Sequence, residues 1–174
     1  MLREMADSRR IAAPDALAAD LDSFDVAILN LVQEDNQLSS HEIGASVGLS
    51  PSAVQRRLRH LRKVGVIMAD VALISPAVAG NRVTIIVEVS LEREQLQQRR
   101  EFERTVGALP EVVQCYYVTG QADYVLILNM TSMEAYGEFT NAVFFANANV
   151  KQFSTAVVMT TTKFTTRVAL GAVR

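Results

Sequence analysis

The sequence predicts an α+β protein with a helical N-terminal part and a mixed C-terminal part. Residues 38–67 indicate two short helices joined by a glycine turn, and a further helical pattern precedes them from residue 22. From residue 82 onward, β-branched stretches and two helical patterns follow the order β-α-β-β-α-β, which is the ferredoxin-like split βαβ motif. We therefore predict an N-terminal helix-turn-helix domain followed by a ferredoxin-like βαββαβ domain.

The first two helices are predicted from their caps and their apolar period. Asp22 is placed to cap the first helix. Its apolar face consists of Phe24, Ile28, Leu31 and Val32. Ser39 or Ser40 is placed to cap the second helix, with Glu42 in its first turn. Gly48 supplies the tight turn that leads to the third helix.

The third helix carries one apolar and one basic face. Ser50 and Pro51 suit its N-cap and first helical position, and Gly65 is expected to end it. The buried stripe is predicted to be Val54, Leu58 and Leu61. Residues 51–64 hold all five Lys and Arg of residues 20–70 and no acidic residue.

Such a helix suits the major groove of DNA, where guanidinium groups reach phosphates and guanine edges. A solvated basic face is the alternative, but the preceding serine-rich helix and glycine turn favour double-stranded DNA as a partner. Because the whole chain has a net charge of −2, one concentrated basic helix indicates selective docking rather than general coating of nucleic acid. The candidate DNA-binding residues are Ser50, Ser52, Gln55, Arg56, Arg59 and Lys63.

The remaining elements follow from period and composition. A strand at residues 68–75 and a hinge up to residue 81 are predicted to link the domains. The second domain is predicted to contain strands at 82–90, 112–118, 124–130 and 150–162, a helix at 95–109 and a helix capped by Ser132. The expected domains are a mobile arm (1–20), the helix-turn-helix (21–67), the linker strand and hinge (68–81), the ferredoxin-like domain (82–167) and a C-terminal tail (168–174).

A four-stranded sheet with both helices on one side leaves its other face uncovered. We expect that face to show mostly apolar residues, namely Ile85, Val87, Val125, Ile127 and Val157 or their alternates. Such a face needs a cover, and an isologous contact between two copies provides one. The sequence therefore favours at least a dimer.

The turn between the two middle strands is a candidate ligand site. Gly120 lets backbone amides approach a ligand, and Asp123 offers a carboxylate beside them. Together they fit an amino-acid zwitterion. The same residues also form a good hairpin turn in any protein, so the turn alone leaves both interpretations open.

Composition limits the location of the protein and its other chemistry. The single Cys115 excludes an intramolecular disulfide and fits a reducing cytoplasm; buried packing or, less readily, a redox switch is its expected role. No apolar run approaches the roughly 20 residues that a membrane span needs. Residues 1–20 lack the apolar core of a signal peptide or anchor. We expect a cytoplasmic protein without membrane contact, metal or cofactor.

The chain resembles transcriptional regulators of the leucine-responsive regulatory protein/asparagine regulator (Lrp/AsnC) family from about residue 21 to residue 166. The resemblance rests on Leu21-Asp22, Asp25, Ile28-Leu29, Val47-Gly48-Leu49-Ser50, Val54, Arg57, Leu61, Gly65-Val66-Ile67, Pro110-Glu111-Val112, Cys115, Val118-Thr119-Gly120, Asp123-Tyr124, Tyr136, Phe139, Thr155 and Lys163. Three departures are Arg62, where the family usually has Glu, Gly44, where alanine is usual, and Asn147-Ala148-Asn149 in place of a glycine.

The resemblance implies a sequence-specific DNA-binding regulator whose binding or assembly responds to a small effector, commonly an amino acid. It also implies a dimer, often assembled further into four dimers. The effector residues it implies are Gly120, Gln121, Asp123, Tyr124 and, less directly, Thr155.

Two other classes compete with this interpretation. A decarboxylase of modified tetrapyrroles can share the two-part architecture, but the only histidines, His41 and His60, lie in the helix-turn-helix. A ligand-binding protein that does not contact DNA is disfavoured by the intact basic helix.

Overall fold

The computed structural model describes residues 21–75, 78, 80, 82–93 and 95–170. Within these residues the chain forms two compact units, a helical unit of residues 21–73 with 163–170 and a mixed unit of residues 74–162. The expected mobile arm (1–20) and the last tail residues (171–174) lie outside the described residues. Among the helices that are described, none combines the length and apolar character needed to cross a membrane.

The helical unit contains α1 (Ser23–Glu34), α2 (Ser40–Val47) and α3 (Pro51–Lys63). The predicted caps form: the Asp22 carboxylate accepts from the Asp25 amide at 2.9 Å, and Ser39 and Glu42 cap α2 reciprocally. Gly48 has a φ of 74°, a left-handed conformation that glycine adopts without steric cost. The core packs around Ile28, Ile43, Val54 and Leu58.

Two details of the helical unit were not predicted from the sequence. Phe24 was expected on the buried face of α1 but is 40% exposed, with the Arg57 guanidinium 5.5 Å from its ring centre. Gly44 does more than replace a helical alanine. A Cβ at this position would lie 2.5 Å from the Leu49 carbonyl oxygen, because the turn after α2 folds closely back on the helix.

The C-terminal segment returns to the helical unit. The Gln33 side-chain amide pairs with both backbone groups of Val168, accepting from its N–H at 2.7 Å and donating to its carbonyl at 3.2 Å. Arg167 forms an ion pair with Glu34. Residues 163–170 therefore lie with α1, whereas the sequence analysis assigned residues up to 167 to the second domain.

The segment after α3 differs from its prediction. Residues 68–75 pair with no strand among the described residues, so the expected linker strand is absent from the single chain. Met68, Val71, Leu73 and Ile74 are all exposed. A strand exists only where a neighbour accepts and donates its backbone hydrogen bonds, and this segment has no such neighbour here.

The mixed unit has the predicted ferredoxin-like order. It consists of β1 (Val83–Leu91), α4 (Leu96–Gly107), β2 (Val112–Tyr117), β3 (Tyr124–Met130), α5 (Met133–Thr140), a π-helical turn (Asn141–Phe145) and β4 (Val150–Val157). The antiparallel sheet has the strand order β2-β3-β1-β4. The last strand ends at Val157 rather than at residue 162. Beyond it the Val158 N–H still donates to the Thr84 carbonyl. Because β1 begins at Val83, the residues from 160 onward have no partner on that strand.

The two faces of the sheet are now assigned. Both helices cover the inner face, where Ile85, Val87, Leu126 and Leu128 are fully buried beneath residues such as Phe102. The open face carries Thr84, Ile86, Glu88, Ser90, Val125, Ile127 and Asn129.

The expected outer set was therefore partly wrong. Val125 and Ile127 do face outward, but Ile85 and Val87 face inward, and Val157 shares the side of its partner Ile85. The open face is also more polar than predicted, with an apolar centre at Ile86, Val125 and Ile127.

Cys115 is exposed rather than buried, because it lies on β2, an edge strand. Partial burial of the sulfur and, secondarily, the negative charge of Glu103 raise the pKa of the thiol to about 11. The sulfur is therefore protonated at neutral pH.

Candidate nucleic-acid interface and effector turn

Helix α3 presents one face to the core and the other to solvent, as its sequence predicts. Val54, Leu58 and Leu61 are buried. Ser52, Gln55, Arg56, Arg59 and Lys63 are all exposed. Because these polar positions recur every three or four residues, they form a single stripe along the helix.

The five cations of α3 divide into two groups. One nitrogen of Arg57 bridges Asp22 and Asp25, with both N–O distances 2.8 Å. Arg62 binds Asp70 through two hydrogen bonds of 2.9 and 3.1 Å. Within the part of the chain that the structure describes, Arg56, Arg59 and Lys63 have no hydrogen-bond or ion-pair partner.

Two of the acidic partners, Asp22 and Asp70, are stabilised in their charged form. The amide of Asp25 and, secondarily, the Arg57 guanidinium lower the pKa of Asp22. The hydrogen bonds from Arg62 lower the pKa of Asp70. Arg57 therefore braces α3 against the start of α1, and the stripe that remains unpaired carries only positive charge.

Ser50 is occupied locally. Its hydroxyl oxygen accepts from the Ala53 amide at 3.3 Å and lies 3.1 Å from the Ser52 hydroxyl oxygen. This is the N-cap role predicted from the Ser50-Pro51 pair. Ser52 itself is exposed.

The turn between β2 and β3 brings three of the predicted effector residues together. Gly120 has a φ of 141°, a conformation that favours glycine. The Ser90 hydroxyl donates to the Gln121 carbonyl at 3.3 Å. The Asp123 carboxylate accepts from the Leu91 amide at 2.6 Å, beside the irregular pairing between Ser90 and Leu91.

Asp123 consequently has a structural role that the sequence did not reveal. One carboxylate oxygen, Oδ2, is engaged by the Leu91 amide, and Oδ1 has no hydrogen-bond partner among the described residues. The sequence indicated only that Asp123 lies in a turn. It could not indicate the bond to Leu91, which lies 32 positions away.

The side chains of the other two predicted effector residues, Tyr124 and Thr155, make their contacts away from this turn. Tyr124 is buried on the inner face, and its hydroxyl donates to Glu103 at 3.0 Å. Burial raises the pKa of Tyr124 to about 12. The Thr155 hydroxyl, on β4, pairs with the Tyr136 hydroxyl of α5. In the single chain Tyr124 is part of the buried core, whereas Thr155 is exposed and joins β4 to α5.

Comparison with known proteins decides the family. Residues 21–62 match the AsnC-type helix-turn-helix domain, and residues 84–168 match the Lrp/AsnC ligand binding domain. An HTH-type transcriptional regulator of Sinorhizobium fredii is 46% identical over 164 residues, or 94% of this chain and 96% of the relative. The leucine-responsive regulatory protein of Haemophilus influenzae is 33% identical over 145 residues, or 83% and 87% of the two chains.

The chain belongs to the Lrp/AsnC family. It is a DNA-binding transcriptional regulator and not an enzyme. A solved Lrp/AsnC-like structure, a Neisseria meningitidis transcriptional regulator in complex with L-Met, superposes with a TM-score of 0.78 at 32% identity, covering 86% of this chain and 96% of that one.

The departures from the Lrp/AsnC pattern acquire structural reasons. Arg62 is paired with Asp70, and Gly44 avoids contact with the Leu49 carbonyl. Asn149 pairs with both backbone groups of Arg93, accepting from its N–H at 3.1 Å and donating to its carbonyl at 3.2 Å. It thereby ties the start of β4 to the loop after β1.

Proposed function

We propose that α3 reads operator DNA through Gln55, Arg56 and Arg59, while Ser52 and Lys63 contact the phosphate backbone. The carrying observation is the division of the cations: two are held by carboxylates of the same unit, and three are unpaired on one stripe. Arginine suits the O6 and N7 acceptors of guanine, and glutamine suits adenine. Ser50 contributes by capping α3, which fixes the first turn of the helix beside the phosphate backbone of the DNA.

Single substitutions test this assignment. Arg56→Ala and Arg59→Ala should each weaken binding to a selected operator by about 1–3 kcal/mol if the residue reads a base. Arg104→Ala, which removes the same charge from an exposed position on α4, is the matched control. Fluorescence anisotropy measures the affinities, and a loss in the control equal to that in the α3 variants would refute the assignment.

We further propose that two copies pack through the open sheet face. Its centre is formed by Ile86, Val125 and Ile127, which lie on adjacent strands. Polar residues such as Glu88 and Asn129 lie around this centre, an arrangement common in protein interfaces. An isologous dimer would present two copies of α3 to the two halves of a near-palindromic operator.

For the effector we propose an amino acid bound at the turn of residues 119–123. Backbone amides near Gly120 would bind its carboxylate, and the free Oδ1 of Asp123 would accept from its ammonium group. Gln121 is exposed at the same turn. Tyr124 then acts from within the core, and the exposed Thr155 acts through its hydrogen bond with Tyr136, rather than by direct contact with the effector. The L-Met complex of the Neisseria meningitidis relative makes L-methionine a natural first compound to test.

We place this activity in the cytoplasm, because a bacterial or archaeal regulator meets its operator there.

A further inference from the structure

Arg62 lies at the edge of the DNA-facing stripe of α3 but is held by an acid. Its Nε and Nη2 donate to the two carboxylate oxygens of Asp70 at 2.9 and 3.1 Å, so one two-donor edge of the guanidinium is engaged. Asp70 lies beyond the end of α3, in the segment that leads out of the helical unit. The pair therefore joins the recognition helix to the start of the linker.

The position of Arg62 on the helix is suited to DNA. It follows Arg59 by three residues and Gln55 by seven, spacings that place all three side by side on a helix surface. Arg57, in contrast, lies on the other flank, against α1. The side chains of Arg62 and Asp70 are 42% and 44% exposed, so a phosphate can approach the guanidinium.

The energetics allow an exchange of partners. An exposed ion pair contributes little to stability, and a phosphate offers Arg62 the same two-pronged acceptor geometry as a carboxylate. We propose that Arg62 is a further phosphate-binding residue of α3 and that Asp70 withholds it from DNA. Any movement of the segment around Asp70 then changes the number of cations that α3 offers to the backbone.

A double-mutant cycle tests the proposal. The parent chain, Asp70→Asn, Arg62→Ala and the double variant are titrated against a mixed-sequence duplex, since a phosphate contact requires no operator. Asp70→Asn should raise the affinity. For each bound protomer this gain should fall roughly three- to fourfold between about 50 and 200 mM salt, because one added phosphate contact changes the salt slope by about 0.9. In the Arg62→Ala background, Asp70→Asn should give no gain beyond that of a charge control.

Asp35→Asn is that control. Asp35 is exposed in the same helical unit, and among the described residues its carboxylate accepts only from the Gln37 backbone amide. Circular dichroism verifies that each variant is folded. If Asp70→Asn gives the same gain with and without Arg62, Asp70 merely repels DNA and the proposal fails. It also fails if Asp70→Asn gives no gain, or if Arg62→Ala costs as much affinity in the parent as in the Asp70→Asn variant.

Discussion

At the scale of single residues, neighbours decide what each arginine of α3 does. Arg56 and Arg57 are adjacent in sequence, yet Arg56 is exposed and unpaired among the described residues, whereas Arg57 bridges the two carboxylates at the start of α1. The same side chain is therefore available to DNA in one position and held by the fold in the next.

This difference predicts unequal effects on stability. Arg57→Ala should lower the free energy of unfolding by about 1–3 kcal/mol, because it removes charge-assisted hydrogen bonds and leaves the largely buried Asp25 without its cation. Arg56→Ala, which removes the same charge, should change it by less than about 0.5 kcal/mol. Urea unfolding followed by circular dichroism measures both, and equal losses would contradict the bracing role of Arg57.

Gly44 provides a second test at this scale. Helix propensity alone predicts that Gly44→Ala stabilises α2 by about 1 kcal/mol. The contact of 2.5 Å between an added Cβ and the Leu49 carbonyl oxygen instead predicts a loss of about 1–3 kcal/mol from overpacking. The matched control is Gly137→Ala on α5, where a Cβ meets nothing within 4 Å and where stabilisation is expected. Thermal unfolding measures both variants. A stabilised Gly44→Ala variant would contradict the predicted loss and would show that the turn at Leu49 moves away from the added Cβ at little cost.

At the scale of elements, local signals were sufficient to predict the caps and the order of helices and strands. Asp22 with Asp25, and Ser39 with Glu42, are three residues apart, so their patterns are visible in the sequence. The outward side of β3 was not predictable, because its sequence is mostly apolar on either parity. In β1 the alternate residues Thr84, Glu88 and Ser90 are polar, a signal for the outward side that was missed. The register, such as Ile86 opposite Ile127, then places the outward residues of β1 and β3 on one face.

The prediction at the scale of elements concerns Asp123 in the turn of residues 119–123, where we propose that the effector binds. Asp123→Ala would confound two effects, since it leaves the Leu91 amide without its acceptor, at a cost of about 1–3 kcal/mol. Asp123→Asn keeps an acceptor oxygen while removing the charge that an ammonium group requires. We expect the Asn variant to remain folded and to lose about 2–5 kcal/mol of amino-acid binding.

A thermal-shift screen of the twenty amino acids measures this loss, because a ligand that binds only the folded state raises the melting temperature. Gln121→Ala at the same exposed turn, which leaves the charge intact, is the comparison variant. If the Asp123→Asn variant and the parent shift equally with the best amino acid, the site lies elsewhere.

At the scale of the whole molecule, the two-part organisation was visible in the sequence, but the return of the C-terminal segment was not. Gln33 and Val168 are 135 positions apart, and no local pattern links them. The partner of Arg62 was missed for a similar reason: Asp70 follows the helix by several residues and belongs to a segment that was expected to be a strand.

The open sheet face predicts assembly. Light scattering at micromolar concentration should give at least a dimer mass for the parent chain. Ile127→Glu should shift it toward the monomer, because it places a charge at the apolar centre of the face. Leu96→Glu, which changes an exposed apolar residue of α4, should leave the mass unchanged. A monomeric parent would contradict the proposed interface.

The central claim is that the unpaired stripe of α3 selects operator DNA. The most direct test is the ratio of affinities for a selected operator and for a scrambled duplex at one salt concentration, measured for the parent and for the Arg56→Ala/Arg59→Ala double variant. We expect this affinity ratio to be well above one for the parent and to fall to about one for the double variant. The Arg104→Ala variant should keep the ratio of the parent. A ratio that the double variant preserves would show that specificity resides elsewhere in the chain.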